Sequence, residues 1–202
     1  MSMSAPSPAQ VAELLRISPN DPFVGLLSAA AERAIAEEEQ LALSELKSTL
    51  LARLDDLQAS QMAVGMLRLA VVGDILVAVR ARIEGSDSAP RQSVLFELAD
   101  VWGKFEVGAR LGYDLVSDAE GRAASETRKM AAALLICTNQ LVGGCQSFLL
   151  RLQSEGRDGQ KLAGLKGELT RLVRLESGAG KAVDTAPLEA AEGIISEYIG
   201  IS

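Results

Sequence analysis

The sequence predicts an all-α fold, a multi-helix bundle of about six or seven helices with long central helices, and three observations carry that prediction. The six prolines stand at positions 6, 8, 19, 22, 90 and 187, leaving 23–89 and 91–186 free of them. A proline inside a helix removes a donor and clashes with the preceding turn, costing about 3 kcal/mol, so its confinement to edges fits long helices. Apolar residues also recur at intervals of three and four along most of the chain, the spacing that loads one helix face. Finally, the 48% hydrophobic content is mainly Ala, Leu and Val, and the aromatics are only Phe 4, Tyr 2 and Trp 1. That mixture suits close-packed helices better than a sandwich or barrel.

Residues 1–7 are small and polar, without the basic and apolar regions of a general secretory signal, and read as a disordered lead. A short Ser-rich start of this kind is also compatible with a type III secretion signal. The bundle is expected over 8–176. Ser7-Pro8-Ala9-Gln10 has an N-cap serine, proline at the first helical position and glutamine three residues after the cap, predicting a short helix from Pro8 to Ile17. Ser18-Pro19-Asn20-Asp21 is turn chemistry, and Asp21-Pro22 starts a second helix expected to be long. Its apolar residues fall at Leu27, Ala30, Ala31, Ala34 and Ile35, then at Leu43, Leu46, Leu50, Leu54 and Leu57. The second set resembles a heptad seam, with Leu43, Leu46, Leu50 and Leu57 as a candidate surface for self-association or a partner helix; intramolecular core is the competing reading. The acidic run Glu37 to Glu39 reads as a solvated face or, alternatively, an acidic docking patch.

Asp55-Asp56, read as exposed capping charge, marks a bend before Met62 to Ile83, where apolar residues appear on every side and only Arg68, Asp74, Arg80 and Arg82 interrupt. Such a helix is central and buried. The β-branched residues Val71, Val72 and Ile75 to Val79 leave a buried strand as a local alternative. Gly85 to Pro90 reads as a linker. The next helix, Ser93 to Val116, places Val94, Leu98, Trp102, Phe105 and Ala109 on one face, with Gly108 and Gly112 spaced for a close backbone approach. Ser117-Asp118-Ala119-Glu120 has capping-box spacing for the helix that follows, whose inner face is Met130, Leu134, Leu141, Cys145, Phe148 and Leu152.

No charge occurs between Lys129 and Arg151, a stretch long enough to cross a bilayer. Thr138, Asn139, Gln140, Gln146 and Ser147 would be poorly satisfied in lipid and favour a buried bundle helix. Gly156 to Gly159 reads as a loop, Gln160 to Glu176 as a helix with Leu162, Leu165, Leu169 and Leu172 on one face, and 177–187 as a linker. Residues 188–202 are expected to form a terminal helix docking on or extending from the bundle.

The chemistry is limited mostly by what is missing. With no histidine, Ser-His-Asp and Cys-His arrangements are impossible, and so are the usual zinc and helical di-iron sites. Carboxylate-only magnesium or calcium sites remain allowed, yet no Asp-x-Asp loop or EF-hand spacing is present. Gly178-Ala179-Gly180-Lys181 suggests a phosphate loop, but Leu175 stands where that motif has glycine and Ala182 where it has Ser or Thr. No catalytic residue, cofactor or metal is therefore expected, and the chain reads as non-enzymatic. The net charge of −7 and the lack of a dense Lys/Arg block argue against nucleic acid. Cys137 and Cys145, eight residues apart on one helix, are separated by roughly 12 Å and cannot bridge each other. Unpaired thiols fit the cytoplasm, with secretion without a cleaved signal peptide as the alternative.

The single tryptophan opens Trp102-Gly103-Lys104-Phe105-Glu106, which puts Trp102 and Glu106 one turn apart on one helical side. This resembles the signature of the type III secreted WxxxE effectors, helical proteins that act as guanine-nucleotide exchange factors for host Rho-family GTPases. The resemblance implies an architectural role for Trp102 and Glu106 beside a loop, for which the segment between Glu155 and Lys161 is the candidate. Three function classes follow. The preferred one is a soluble helical adaptor, scaffold or regulatory protein that works by protein–protein contact, with a partner or with itself. The alternatives are an exchange factor of the WxxxE type, and a lipid-binding or membrane-inserting helical protein using Met62 to Ile83 and Met130 to Leu150. Membrane contact is the less favoured expectation.

Overall fold

The computed structural model describes residues 8–84, 92–118, 121–155, 165–179 and 194–199. Seven helices run in chain order: α1 (Pro8–Leu15), α2 (Pro22–Ile35), α3 (Glu39–Leu50), α4 (Asp56–Glu84), α5 (Gln92–Ser117), α6 (Ala124–Glu155) and α7 (Leu165–Ala179). Residues 194–199 are also helical and form α8. The fold is an all-α multi-helix bundle, and no described residue is in a strand. The strand alternative for Val71 to Val79 is thereby excluded, because those residues belong to α4.

α4 is the axis. Every residue from Gln61 to Leu76 is buried, and α2, α3, α5, α6 and α7 all pack against it. Its apolar side chains point in all directions because neighbours stand on all sides, so each buried Leu, Ile or Met contributes about 1.5–3 kcal/mol. Small residues set the closeness of those neighbours. A Cβ at Gly65 would lie 2.8 Å from Leu134 Cγ of α6, and one at Gly73 would lie 3.0 Å from the Phe105 ring of α5. On α5, Gly108 and Gly112 make room for side chains rather than for another backbone: a Cβ there would meet Leu69 Cδ2 at 3.0 Å or Phe23 Cε2 at 3.1 Å.

Side-chain caps start two of the helices, α2 and α4. Asp21 Oδ1 accepts from the Phe23 N–H at 2.9 Å with Pro22 at the first helical position, and Asp55 Oδ1 accepts from the Gln58 N–H at 2.8 Å. The helix ends differ from expectation. The second helix does not continue to Leu57, but stops at Ile35, followed by Glu37 at φ 65°. There the Glu37 N–H donates to Ala34 O at 3.2 Å and the Glu38 N–H to Arg33 O at 2.9 Å, a Schellman stop built without glycine. Arg16, at φ 56°, ends α1 in the same way. The capping box proposed at Ser117 is also corrected: Ser117 is the last residue of α5, and α6 begins at Ala124. Arg122 holds this corner, donating to Asp114 O at 3.1 Å and to Asp118 Oδ2 at 3.3 Å.

α5 and α6 lie antiparallel beside α4, and the Arg151–Glu97 ion pair joins the end of α6 to the start of α5. α6 buries Met130, Leu134, Leu141, Cys145 and Phe148 while Asn139, Gln140 and Ser147 face outward. Thr138 is fully buried but satisfied, its hydroxyl donating to Leu134 O at 2.8 Å and Leu135 O at 3.1 Å. α8 packs Ile194, Ile195 and Tyr198 against the core, with the Tyr198 hydroxyl donating to the Asp114 carboxylate. The expected linker at Gly85 to Pro90, the loop at Gly156 to Gly159 and most of 177–187 lie outside the described residues; of that last segment, Ser177 to Ala179 belong to α7.

Candidate functional site

The residues singled out by sequence do not gather at one place. Trp102 sits half-buried on α5 against the core, its ring 6.0 Å from that of Phe105. Glu106 is engaged one turn further on, where Arg110 Nη2 donates to its Oε1 at 3.0 Å. The tryptophan is thus fixed by packing and the glutamate by an ion pair along the same helix. The segment between Glu155 and Lys161 lies outside the described residues.

The leucine seam is divided. Leu46 and Leu50 are buried and Leu43 packs against the same core, all on α3, whereas Leu57 is exposed in the first turn of α4. The break at Leu51 to Asp55 turns the chain, so the four residues share no single helix face. The acidic run is engaged within the chain: Arg33 takes Glu38 at 2.8 Å, and Arg174 of α7 takes Glu37 at 2.5 Å and Glu39 at 3.3 Å.

Two features emerge that the sequence reading missed. One is an exposed apolar end. Three of the four phenylalanines, Phe23, Phe105 and Phe148, are buried, but Phe96 is 65% exposed. Leu95 and Leu150 are exposed as well, and the Arg151–Glu97 pair brings this start of α5 and end of α6 together. The periodicity carried a signal, since Phe96 falls off the face drawn by Val94, Leu98, Trp102 and Phe105.

The other is an ionic seat under α7. Arg171 Nη1 donates to Asp74 Oδ2 at 2.6 Å, with the two side chains 12% and 2% exposed. One turn before it, the buried Glu168 accepts from Arg82 Nη2 at 2.9 Å. Leu172 and Leu175 are buried beyond these charges. Glu168 Oε2 and Arg171 Nε and Nη2 are buried without a hydrogen-bond partner among the described residues. Asp74 stood out in the sequence as a carboxylate inside an apolar run. Its partner, 97 positions away, could not be read from local pattern.

The thiols lie on the dry side of α6. Burial pushes Cys137 up to about 11, with Lys104 pulling weakly the other way, and pushes Cys145 up to about 12. Both are neutral at pH 7 and poor nucleophiles. Burial, and then the hydrogen bond to Asp114, raises the Tyr198 hydroxyl above its ordinary value. Among the described residues no three Cys, Asp or Glu side chains converge to hold a metal ion. No protein-family model matches the chain, and no curated protein or solved structure shows significant similarity to it.

Proposed function

We propose that this chain is a non-enzymatic interaction protein, an adaptor or regulator whose working part is the apolar end formed by Leu95, Phe96 and Leu150. The exposure of Phe96 carries the reading. An aromatic side chain left 65% exposed, in a chain that buries its other phenylalanines, is the kind of anchor that protein interfaces concentrate. The buried thiols with raised pKa add support, because they offer no activated nucleophile. The occupant is an apolar protein surface.

The test is Phe96→Glu with Leu150→Glu. Both side chains are exposed, so each change should move stability by less than about 0.5 kcal/mol. Proteins cross-linked to the wild-type chain in its native cell should be lost from the variant, and light scattering reports whether a second copy is the partner. Equal capture by both chains would remove this surface from consideration.

A second reading, membrane insertion, is favoured by one observation: α4 and α6 are both long and apolar enough to cross a bilayer, and they pack on each other. Against it, 89% of the most apolar window of α4 is buried in the bundle, which is where a core helix belongs. Flotation with anionic liposomes at neutral and acidic pH separates the two, since insertion requires the protein to rise with the vesicles.

A further inference from the structure

We propose that α7 occupies, within its own chain, a helix-docking groove that accepts an amphipathic helix of a partner protein carrying arginine opposite Asp74. The groove is the surface of α3, α4 and α6 on which α7 lies. It is a different place from the Phe96 end, and the two can fail separately.

α7 sits there as a ligand helix sits in a groove. Among its described side chains, Glu168, Leu172 and Leu175 are buried at intervals of four and three, while Thr170 and Val173 are exposed with Gly167 on the outer face. The groove has its own specificity element. Asp74 is 2% exposed, and the cation that it holds, Arg171, comes from α7. With a helix in place that lacks the cation, this carboxylate is buried without its partner. The groove therefore selects for a basic residue at that register as well as for leucines.

α7 is an imperfect occupant. Its docking buries Glu168 Oε2 and Arg171 Nε and Nη2 without partners, although Arg171 has its whole Nε/Nη2 edge free for a bidentate contact. A helix that keeps the leucines and the arginine but replaces the buried glutamate would dock with fewer orphaned groups. Such a helix competes with α7, which makes α7 an autoinhibitory plug.

The experiment uses the full chain with Arg171→Asp, whose own α7 is repelled from Asp74, and a labelled peptide of residues 165–179. Fluorescence anisotropy should show the native-sequence peptide binding this chain at least about tenfold more tightly than a peptide carrying Arg171→Asp, and more tightly than it binds wild type, where α7 fills the groove. On a chain with Asp74→Arg the order of the two peptides should invert. Failure of the native peptide to bind, or equal binding of both peptides, overturns the proposal. If the Arg171→Asp chain does not fold alone, refolding with each peptide becomes the readout: only the native one should restore the helical circular dichroism, and rescue by neither overturns the proposal. A wild-type dimer that each single variant loses, and that mixing the two variants restores, would assign the groove to a second copy's α7 and overturn the partner-helix reading. None of these readouts involves Phe96.

Discussion

α4 meets its neighbours α6 and α7 by opposite means. Against α6 it is mostly apolar and interlocked: Gly65 makes a hollow into which Leu134 fits, while Gln58 and Arg68 donate to the Ala124 and Leu135 carbonyls of α6 without pairing charges. Against α7 it is keyed by charge, with Asp74 and Arg82 of one helix set against Arg171 and Glu168 of the other. The first kind of contact is strong and indifferent to sequence detail as long as volume is kept. The second adds little net stability but penalises any other register or partner, because a misaligned helix leaves a carboxylate buried alone. The axial helix therefore has a permanent side and a selective side.

The largest effect should come from the permanent side. Leu134→Ala removes the side chain that fills the Gly65 hollow and should cost about 3–5 kcal/mol of global stability, lowering the melting temperature by roughly 10 °C. A loss under 1 kcal/mol in urea unfolding would mean that α4 and α6 are not interlocked. Arg171→Ala tests the selective side and should act locally. Asp74 left alone would penalise docking, so the chain should escape by lifting α7 while the rest stays folded. Hydrogen exchange should then show protection lost over α7 and kept over α4 and α6; uniform loss would make α7 an integral part of one cooperative unit.

The third effect is smaller and reads the dryness of α6 directly. Cys137 and Cys145 have pKa values raised from 9.0 to about 11 and about 12 by burial. Below pH 9 both thiols keep their protons whether the chain is folded or not, and their contribution is fully present. Above it the unfolded chain releases protons that the folded chain retains, so stability falls as pH rises from about 9 through 11. Replacing both cysteines by alanine should flatten this part of the alkaline limb, leaving the share that belongs to Tyr198. Melting curves of the two chains at pH 8 and pH 10.5 check it, and parallel losses would mean that the thiols are solvated.

The same contrast governs how much of the molecule was legible in the sequence. The permanent side was visible: an all-round apolar stretch from Met62, the inner face of α6 and the caps at Asp21 and Asp55 follow from periodicity and local chemistry. The turn after α1 was visible in Ser18-Pro19-Asn20-Asp21, but the break after α2 was not, because Glu37 occupies left-handed backbone that is normally marked by glycine. Missing that break merged α2 and α3, and the apparent seam to Leu57 came from carrying one helix face across Leu51 to Asp55. The selective side was half visible. Asp74 stood out as a charge among apolar residues, whereas its pairing with Arg171 depends on tertiary geometry that no local rule encodes. Phe96 was not legible because a helical pattern marks the face that it fills, and a single apolar residue off that face is ordinary on protein surfaces.

The smallest effect should come from removing both charges at once, and it decides what the ion pair is for. Asp74→Leu with Arg171→Leu replaces a buried pair by apolar groups, and such replacements are commonly neutral or stabilising. Global stability should change by less than about 1 kcal/mol, and α7 should stay protected from exchange. Selectivity should not survive: with no carboxylate in the groove, peptides of residues 165–179 with and without Arg171→Asp should compete for the seat far less unequally than on the native groove. If the double variant instead loses as much stability as Leu134→Ala, the pair is a structural necessity, and α4 has two permanent sides. A stable but indiscriminate groove would show that the charges determine which helix binds there, while the leucines provide the attachment.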